Sequence, residues 1–213
     1  MQTTIPDVTP APGIVLLSSI FGVDDDIREF ARRYAQRGYV VVAPDLFARI
    51  LPGALKRTGD DYSKAVDRKK KVDVDQLRRD VKTTIAELRA MPECNGKVAA
   101  LGICFGGRYA LLAAIDGDVD AAGAYHASEA GQHIAELEHA DAPISLHYGD
   151  SDSVAPMSEV NAVKRALQND PQAEVFVYPG AGHNFSIPTH PAYDAVAAQA
   201  AETRVFSMFD RLK

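Results

Sequence analysis

The chain has 213 residues, a formal net charge of -6, 24% charged and 46% hydrophobic residues. A chain of this size can close around one core, and its acidic balance leaves no basic footprint for nucleic acid and no polybasic anchor for a membrane. Two cysteines are too few for a disulfide framework, no apolar run could span a bilayer, and the first residues do not read as a signal peptide. The expectation is therefore one domain over 1–213, cytoplasmic with reduced thiols, acting on a small molecule as a monomer or small homo-oligomer.

The apolar run 13–17 predicts a buried strand that closes at the polar pair Ser18 and Ser19. Asp24, Asp25 and Asp26 place carboxylates at a helix start, where the dipole favours them, and Ile27, Phe30, Ala31 and Tyr34 then recur at helical spacing until Gly38. Residues 39–43 read as a second buried strand, closed by Pro44. From 44 to 72 the chain reads as irregular, and its charge run Arg68, Lys69, Lys70, Lys71 reads as a solvated helix face. Leu77, Val81, Ile85 and Leu88 mark an amphipathic helix that Pro92 ends.

Beyond it, 97–101 is a strand and 108–115 a helix, and 121–125 and 144–148 are strands. Val160, Val163 and Leu167 mark a helix, 175–178 a strand, and Val205, Met208, Phe209 and Leu212 the stripe of the last helix. Apolar strands alternating with amphipathic helices predict an α/β protein with a mostly parallel central sheet and helices on both faces. In such a sheet the chemistry belongs to loops at the carboxyl ends of the strands.

One such loop is Gly102-Ile103-Cys104-Phe105-Gly106-Gly107, a Gly-x-Cys-x-Gly turn between a strand and a helix. It has the form of a nucleophile elbow: the glycines allow a sharp turn that lifts Cys104 above the sheet, and helix amides beyond it lower the thiol pKa. A phosphate-binding loop fits poorly, because neither Gly-x-Gly-x-x-Gly nor Gly-Lys-Ser/Thr is present. A buried packing cysteine is the alternative for the turn taken alone.

Two later loops supply partners in the order nucleophile, acid, histidine. After the strand 144–148 come Asp150 and Asp152, and after the strand ending at Tyr178 comes His183 within Gly180-Ala181-Gly182-His183. Asp152, later in its turn, is placed to reach the next loop, whereas Asp150 suits a turn cap. The expected roles are Cys104 as nucleophile, His183 as base and acid, and Asp152 as its orienting carboxylate. The expected oxyanion donors are the N–H groups of Phe105, just after the nucleophile, and Ile20, in the loop after the first strand.

With these residues in place, nearly the whole chain resembles the dienelactone hydrolase family of the α/β-hydrolase fold. The resemblance rests on Ile20-Phe21-Gly22-Val23, Ala43-Pro44-Asp45-Leu46, Asn95-Gly96-Lys97-Val98, the elbow, the segment 149–156 and Gly182-His183-Asn184-Phe185. It implies a cofactor-free and metal-free ester or lactone hydrolase without a large cap domain, using Cys104, Asp152 and His183 as its triad. Two departures are visible. The family glutamate that contacts the resting thiol is Ser19 here, and the two arginines that hold a substrate carboxylate fall, counted without gaps, on Tyr62 and Ile187.

The pocket so implied, Ser19, Phe21, Tyr62, His126, Phe185 and Ile187, suits small neutral esters or lactones. His126, at a strand end, is expected to face the mouth of the site, either as a substrate contact or as a satisfied histidine, and Arg108 to be a solvated helix-face arginine, with a carboxylate-holding role as its alternative. His133, His139, His147 and His190 show no metal-ligand spacing, and Cys94 reads as a loop thiol. Two other functions compete: a non-catalytic protein sensing oxidants or electrophiles through Cys104, and an acyl-transfer or thioester-cleaving enzyme.

Overall fold

The computed structural model describes residues 1–137, 140 and 142–213. In chain order the strands are β1 (Gln2–Thr4), β2 (Ala11–Leu17), β3 (Val40–Ala43), β4 (Cys94–Ile103), β5 (Ala121–Tyr125), β6 (Ile144–Gly149) and β7 (Ala173–Tyr178). The helices are α1 (Asp25–Gln36), α2 (Gly59–Lys70), α3 (Val74–Arg89), α4 (Phe105–Ile115), the single turn α5 (Ile134–Leu137), α6 (Met157–Ala166) and α7 (Ala195–Phe209).

The strands form one sheet in the order β1-β3-β2-β4-β5-β6-β7, with β1 antiparallel to β3 and every other pairing parallel. All residues of β2, β3 and β5 are buried, as parallel strands covered on both faces must be. Alternation along β5 shows the two layers. A side chain at Gly123 would meet Val205 and Phe209 of the α7 side, while Ala124 faces Gly107 of α4. On the first face α1 and α7 meet through Tyr34 and Phe206, ring centroids 4.6 Å apart, a contact that adds about 1 kcal/mol to the area it buries. Helices α3 and α4 pack together on the other face.

Helix starts follow local chemistry. Asp24 accepts the Ile27 N–H at 3.0 Å and Asp73 accepts that of Gln76 at 3.0 Å, each cap supplying about 1 kcal/mol. Strand order reverses at β2 and β4, which are neighbours aligned with Leu17 opposite Gly102. Their carboxyl ends therefore flank the crevice where an open parallel sheet binds ligands. Among the described residues no separate cap domain is inserted, and no helix is long and apolar enough to cross a membrane.

Several expectations are corrected. Strand β1 has no counterpart in the sequence reading, because three polar residues at an edge carry no hydrophobic pattern. Residues 44–72 are not irregular throughout, since α2 occupies Gly59–Lys70. Its charge run is not uniformly solvated: Arg68 is 2% exposed. Helix α4 begins at Phe105 rather than Arg108, so its first N–H groups lie directly behind Cys104. Cys94 opens β4, buried, rather than lying in a loop. His139 lies outside the described residues.

Candidate active site

Cys104 is the single residue between β4 and α4, with φ 53° and ψ -114°. A side-chain-bearing residue at positive φ stores about 1–3 kcal/mol of strain, and three backbone hydrogen bonds hold it there. The Cys104 N–H donates to the Tyr125 carbonyl (3.0 Å), and the Cys104 carbonyl accepts from the N–H groups of Gly107 (2.9 Å) and Ser128 (3.2 Å). The glycines are required by space: a Cβ on Gly106 would collide with the Leu17 carbonyl, and one on Gly102 with the Gly106–Gly107 backbone. Without them α4 could not start against the end of β2.

The turn after β7 brings His183 Nε2 to 3.1 Å from Cys104 Sγ. The other ring nitrogen, Nδ1, lies 2.7 Å from Asp152 Oδ2. Asp152 is itself fixed, because Oδ1 accepts the N–H groups of Val154 (2.7 Å) and Ala155 (2.9 Å). Asp150 is turned elsewhere: its Oδ1 accepts the Gly180 N–H at 2.7 Å, fastening the loop after β6 to the loop after β7.

Electrostatics at this cluster favour charge separation. Burial pushes the Cys104 thiol up, but the hydrogen bond and charge of His183 outweigh it and hold the thiol below its ordinary 9.0, with Ser128 and the Phe105 N–H acting in the same direction. Burial pushes the His183 imidazolium down, but hydrogen bonds to Asp152 and Cys104 raise it to about 9. Both shifts act toward a thiolate beside an imidazolium.

The loop after β2 faces the start of α4. Ser19, buried, turns its hydroxyl into its own loop and accepts the Phe21 N–H at 3.3 Å, so it reaches neither the thiol nor open pocket. Among the described residues the Ile20 N–H has no hydrogen-bond partner, while the Ile20 carbonyl is held by Arg68. Phe21 packs 5.9 Å from Tyr62, which is 52% exposed on α2. The segment before α2 is fastened down, with the Leu55 N–H on the Phe21 carbonyl (2.9 Å) and the Gly53 N–H on Asp45 (2.7 Å).

Besides Ser19, three placements differ from the sequence reading. His126 does not face the mouth. It is fully buried at φ 39°, lies edge-on to the His183 ring at 4.7 Å and bonds Ser186 Oγ through Nε2 at 3.0 Å. Burial, with the His183 charge adding, keeps its pKa well below 6.5, so it is a neutral support beneath His183. Phe185 and Ile187 have no exposed surface and belong to the hydrophobic core, Phe185 lying 5.7 Å from the His126 ring. Arg108 is not solvated: it is 5% exposed, paired with Glu129 at 3.0 Å and donating to Gln132 and the Tyr109 hydroxyl.

Four residues near the site escape sequence reasoning. Ser128 places its hydroxyl 3.9 Å from Sγ, and Ser186 holds His126. Arg57 pairs with Asp24 (2.9 Å) and Asp26 (3.2 Å) while covering Phe21 at 4.9 Å. Arg68 is the fourth, through its grip on Ile20. Only Ser128, just past a strand end, carries a positional signal. Among the described residues no group of three or more His, Cys, Asp or Glu side chains is placed to hold a metal ion.

Comparison with known proteins gives the family. Residues 2–213 match the dienelactone hydrolase family. The carboxymethylenebutenolidases of Pseudomonas putida and Pseudomonas knackmussii are each 31% identical over 201 residues, covering 93% of this chain and 85% of theirs. Among solved structures, a dienelactone hydrolase-like promiscuous phosphotriesterase from metagenomic libraries superposes with a TM-score of 0.81 at 26% identity, covering 97% of this chain and 88% of that one.

Proposed function

The chain belongs to the dienelactone hydrolase family and is an ester or lactone hydrolase, and from that premise we propose that it works through a Cys104-His183-Asp152 triad and an acyl-enzyme on small neutral substrates. The observation that carries this reading is the continuous contact from Sγ through both ring nitrogens of His183 to a buried carboxylate.

In this scheme the Cys104 thiolate attacks the substrate carbonyl carbon, and the carbonyl oxygen becomes an oxyanion facing the N–H groups of Ile20 and Phe105. Collapse breaks the ester C–O bond, and His183 Nε2 gives its proton to the departing oxygen, leaving a thioester on Cys104. Water then attacks the thioester while His183 takes its proton, and the second collapse expels the thiolate beside a re-formed imidazolium. Asp152 holds the ring in the tautomer both steps need and stabilises its charged form. A thiolate is a good leaving group as well as a good nucleophile, which favours activated esters such as enol lactones.

The neutral preference is supported by charge. Neither Tyr62 nor Ile187 can fork onto a carboxylate, and two guanidinium groups near the site are already paired, Arg57 with two carboxylates and Arg108 with Glu129. Hydrolysis of 4-nitrophenyl acetate, 4-nitrophenyl butyrate, neutral lactones and a dienelactone by wild type and by Cys104→Ala tests it. Turnover of the neutral members that collapses in the variant is expected. Full activity in Cys104→Ala would sink the triad, and preference for the anionic dienelactone would sink the neutral pocket. Silence across the panel with rapid alkylation of Cys104 would favour the sensing protein instead.

A further inference from the structure

We propose that Arg68, far from the triad in sequence, is a positioning residue that sets the spacing between the two oxyanion donors. The inference rests on the reading of Ile20 and Phe105 as those donors. Among the described residues no carboxylate lies within ion-pair distance of its guanidinium. Its donors go to backbone carbonyls instead: Nε and Nη2 both donate to Ile20 (3.0 and 2.7 Å), and Nη1 donates to Leu51 (2.9 Å) and Gly53 (2.8 Å).

The same group also reaches the other side of the crevice. Its central carbon sits 4.1 Å from the Phe47 ring centroid, and Phe47 stacks on Phe105 at 5.4 Å and 25°. One planar cation thus bonds the loop carrying Ile20 and, through one aromatic ring, bears on the first residue of α4. Gly22 makes room for it, because a Cβ there would come 3.0 Å from Nη2 and 2.8 Å from the Gly53 carbonyl.

Burial pulls the Arg68 pKa down from its ordinary value, so the charge sits here against a desolvation penalty that its carbonyl bonds offset. Lysine cannot substitute, since one ammonium cannot both grip a carbonyl twice and lie flat on a ring. Loss of the clamp frees the Ile20–Phe21 peptide to shift, and with it, across the Ile20 Cα, the Ser19–Ile20 peptide that carries the donor N–H. The ground-state substrate makes little use of that N–H, whereas the tetrahedral oxyanion depends on it.

Arg68→Met and Arg68→Lys, assayed on 4-nitrophenyl acetate and separately for alkylation of Cys104 by iodoacetamide, decide the matter. Alkylation displaces iodide from a saturated carbon and builds no oxyanion, so it reports the thiolate alone. In both variants kcat should fall about 10- to 100-fold with KM within about threefold, while the alkylation rate and its pH midpoint stay within about twofold. Turnover within about threefold of wild type in either folded variant would overturn the proposal. So would alkylation that falls in parallel with turnover, which would reveal a general structural role. Should neither variant fold, Phe47→Leu, which breaks the stack and keeps the hydrogen bonds, is read by the same split, and an unchanged kcat there overturns it. Full turnover by Cys104→Ala would instead remove the underlying reading of Cys104 as nucleophile, whatever Arg68 does.

Discussion

Replacing Asp152 by asparagine conserves shape while changing the one atom that His183 needs. Oδ1 accepts two backbone N–H groups, from Val154 and Ala155, so in Asp152→Asn the amide oxygen must stay there and the NH2 group turns to His183 Nδ1. That nitrogen then has to accept, the proton moves to Nε2, and the neutral ring can no longer take the thiol proton. The size of the loss follows from the ring's pKa. Burial opposes the imidazolium, yet His183 stands at about 9 against an ordinary 6.5, with the Asp152 hydrogen bond the largest favourable cause. At about 1.4 kcal/mol per pH unit the rise represents about 3 kcal/mol, shared between Asp152 and Cys104, and the variant forfeits the Asp152 share. The fraction of Cys104 held as thiolate should fall, and kcat/KM should drop about 100- to 1000-fold, because the acid step suffers as well. The assay is the pH dependence of Cys104 alkylation by iodoacetamide: the acid limb, below 9.0 in wild type, should move up toward the ordinary thiol value. A limb displaced by less than about half a pH unit, or kcat/KM within about fivefold of wild type, would refute the coupling drawn here.

Three further outcomes are expected. Gly106→Ala forces a Cβ onto the Leu17 carbonyl, and thermal melting should show a loss of about 3 kcal/mol or failure to fold; a melt within about 2 °C of wild type would mean the elbow can open. Burial, with the Arg204 charge adding, holds His147 at about 3, so the unfolded chain takes up a proton near 6.5 that the native state refuses until much lower pH. Its contribution is therefore complete above about pH 6.5 and lost as pH falls toward about 3. The drop in urea-unfolding stability between about pH 7.5 and about pH 4.5 should be about 2–3 kcal/mol smaller in His147→Gln than in wild type. Tyr62→Arg puts a cation on the half-exposed wall beside Phe21; the ratio of kcat/KM for an anionic ester over its neutral analogue should rise about fivefold at low salt and decline as salt is added.

Much of the fold is legible in the sequence because its determinants are local. Buried strands 13–17, 121–125 and 144–148 announce themselves as short apolar runs, and α3 by Leu77, Val81, Ile85 and Leu88 at helical spacing. The elbow is legible for a steric reason, since positions 102 and 106 without side chains allow a strand to turn sharply into a helix around a cysteine. The grouping of Cys104, His183 and Asp152 can be anticipated because each follows a strand end, and parallel strands deliver their ends to one edge. What escapes are side chains whose setting depends on distant chain. Arg68 looks like one member of a basic run, yet it alone of the four turns inward, toward carbonyls up to 48 positions away. His126 looks like a strand-end ligand and is instead a buried prop, because Ser186 meets it from a loop 60 residues later.

The residue pattern by itself determined the alternation of strand and helix, the corner at Cys104 and the strand-end positions of its histidine and carboxylate partners, since each depends on backbone sterics and short-range periodicity. Only the tertiary structure decided which charges are free and which are engaged. Arg57, Arg68 and Arg108 are alike as letters. Two of them are neutralised by carboxylates and the third grips the carbonyl of Ile20, because the energy of a charge is set by the dielectric and partners that folding brings to it, and not by its neighbours along the chain.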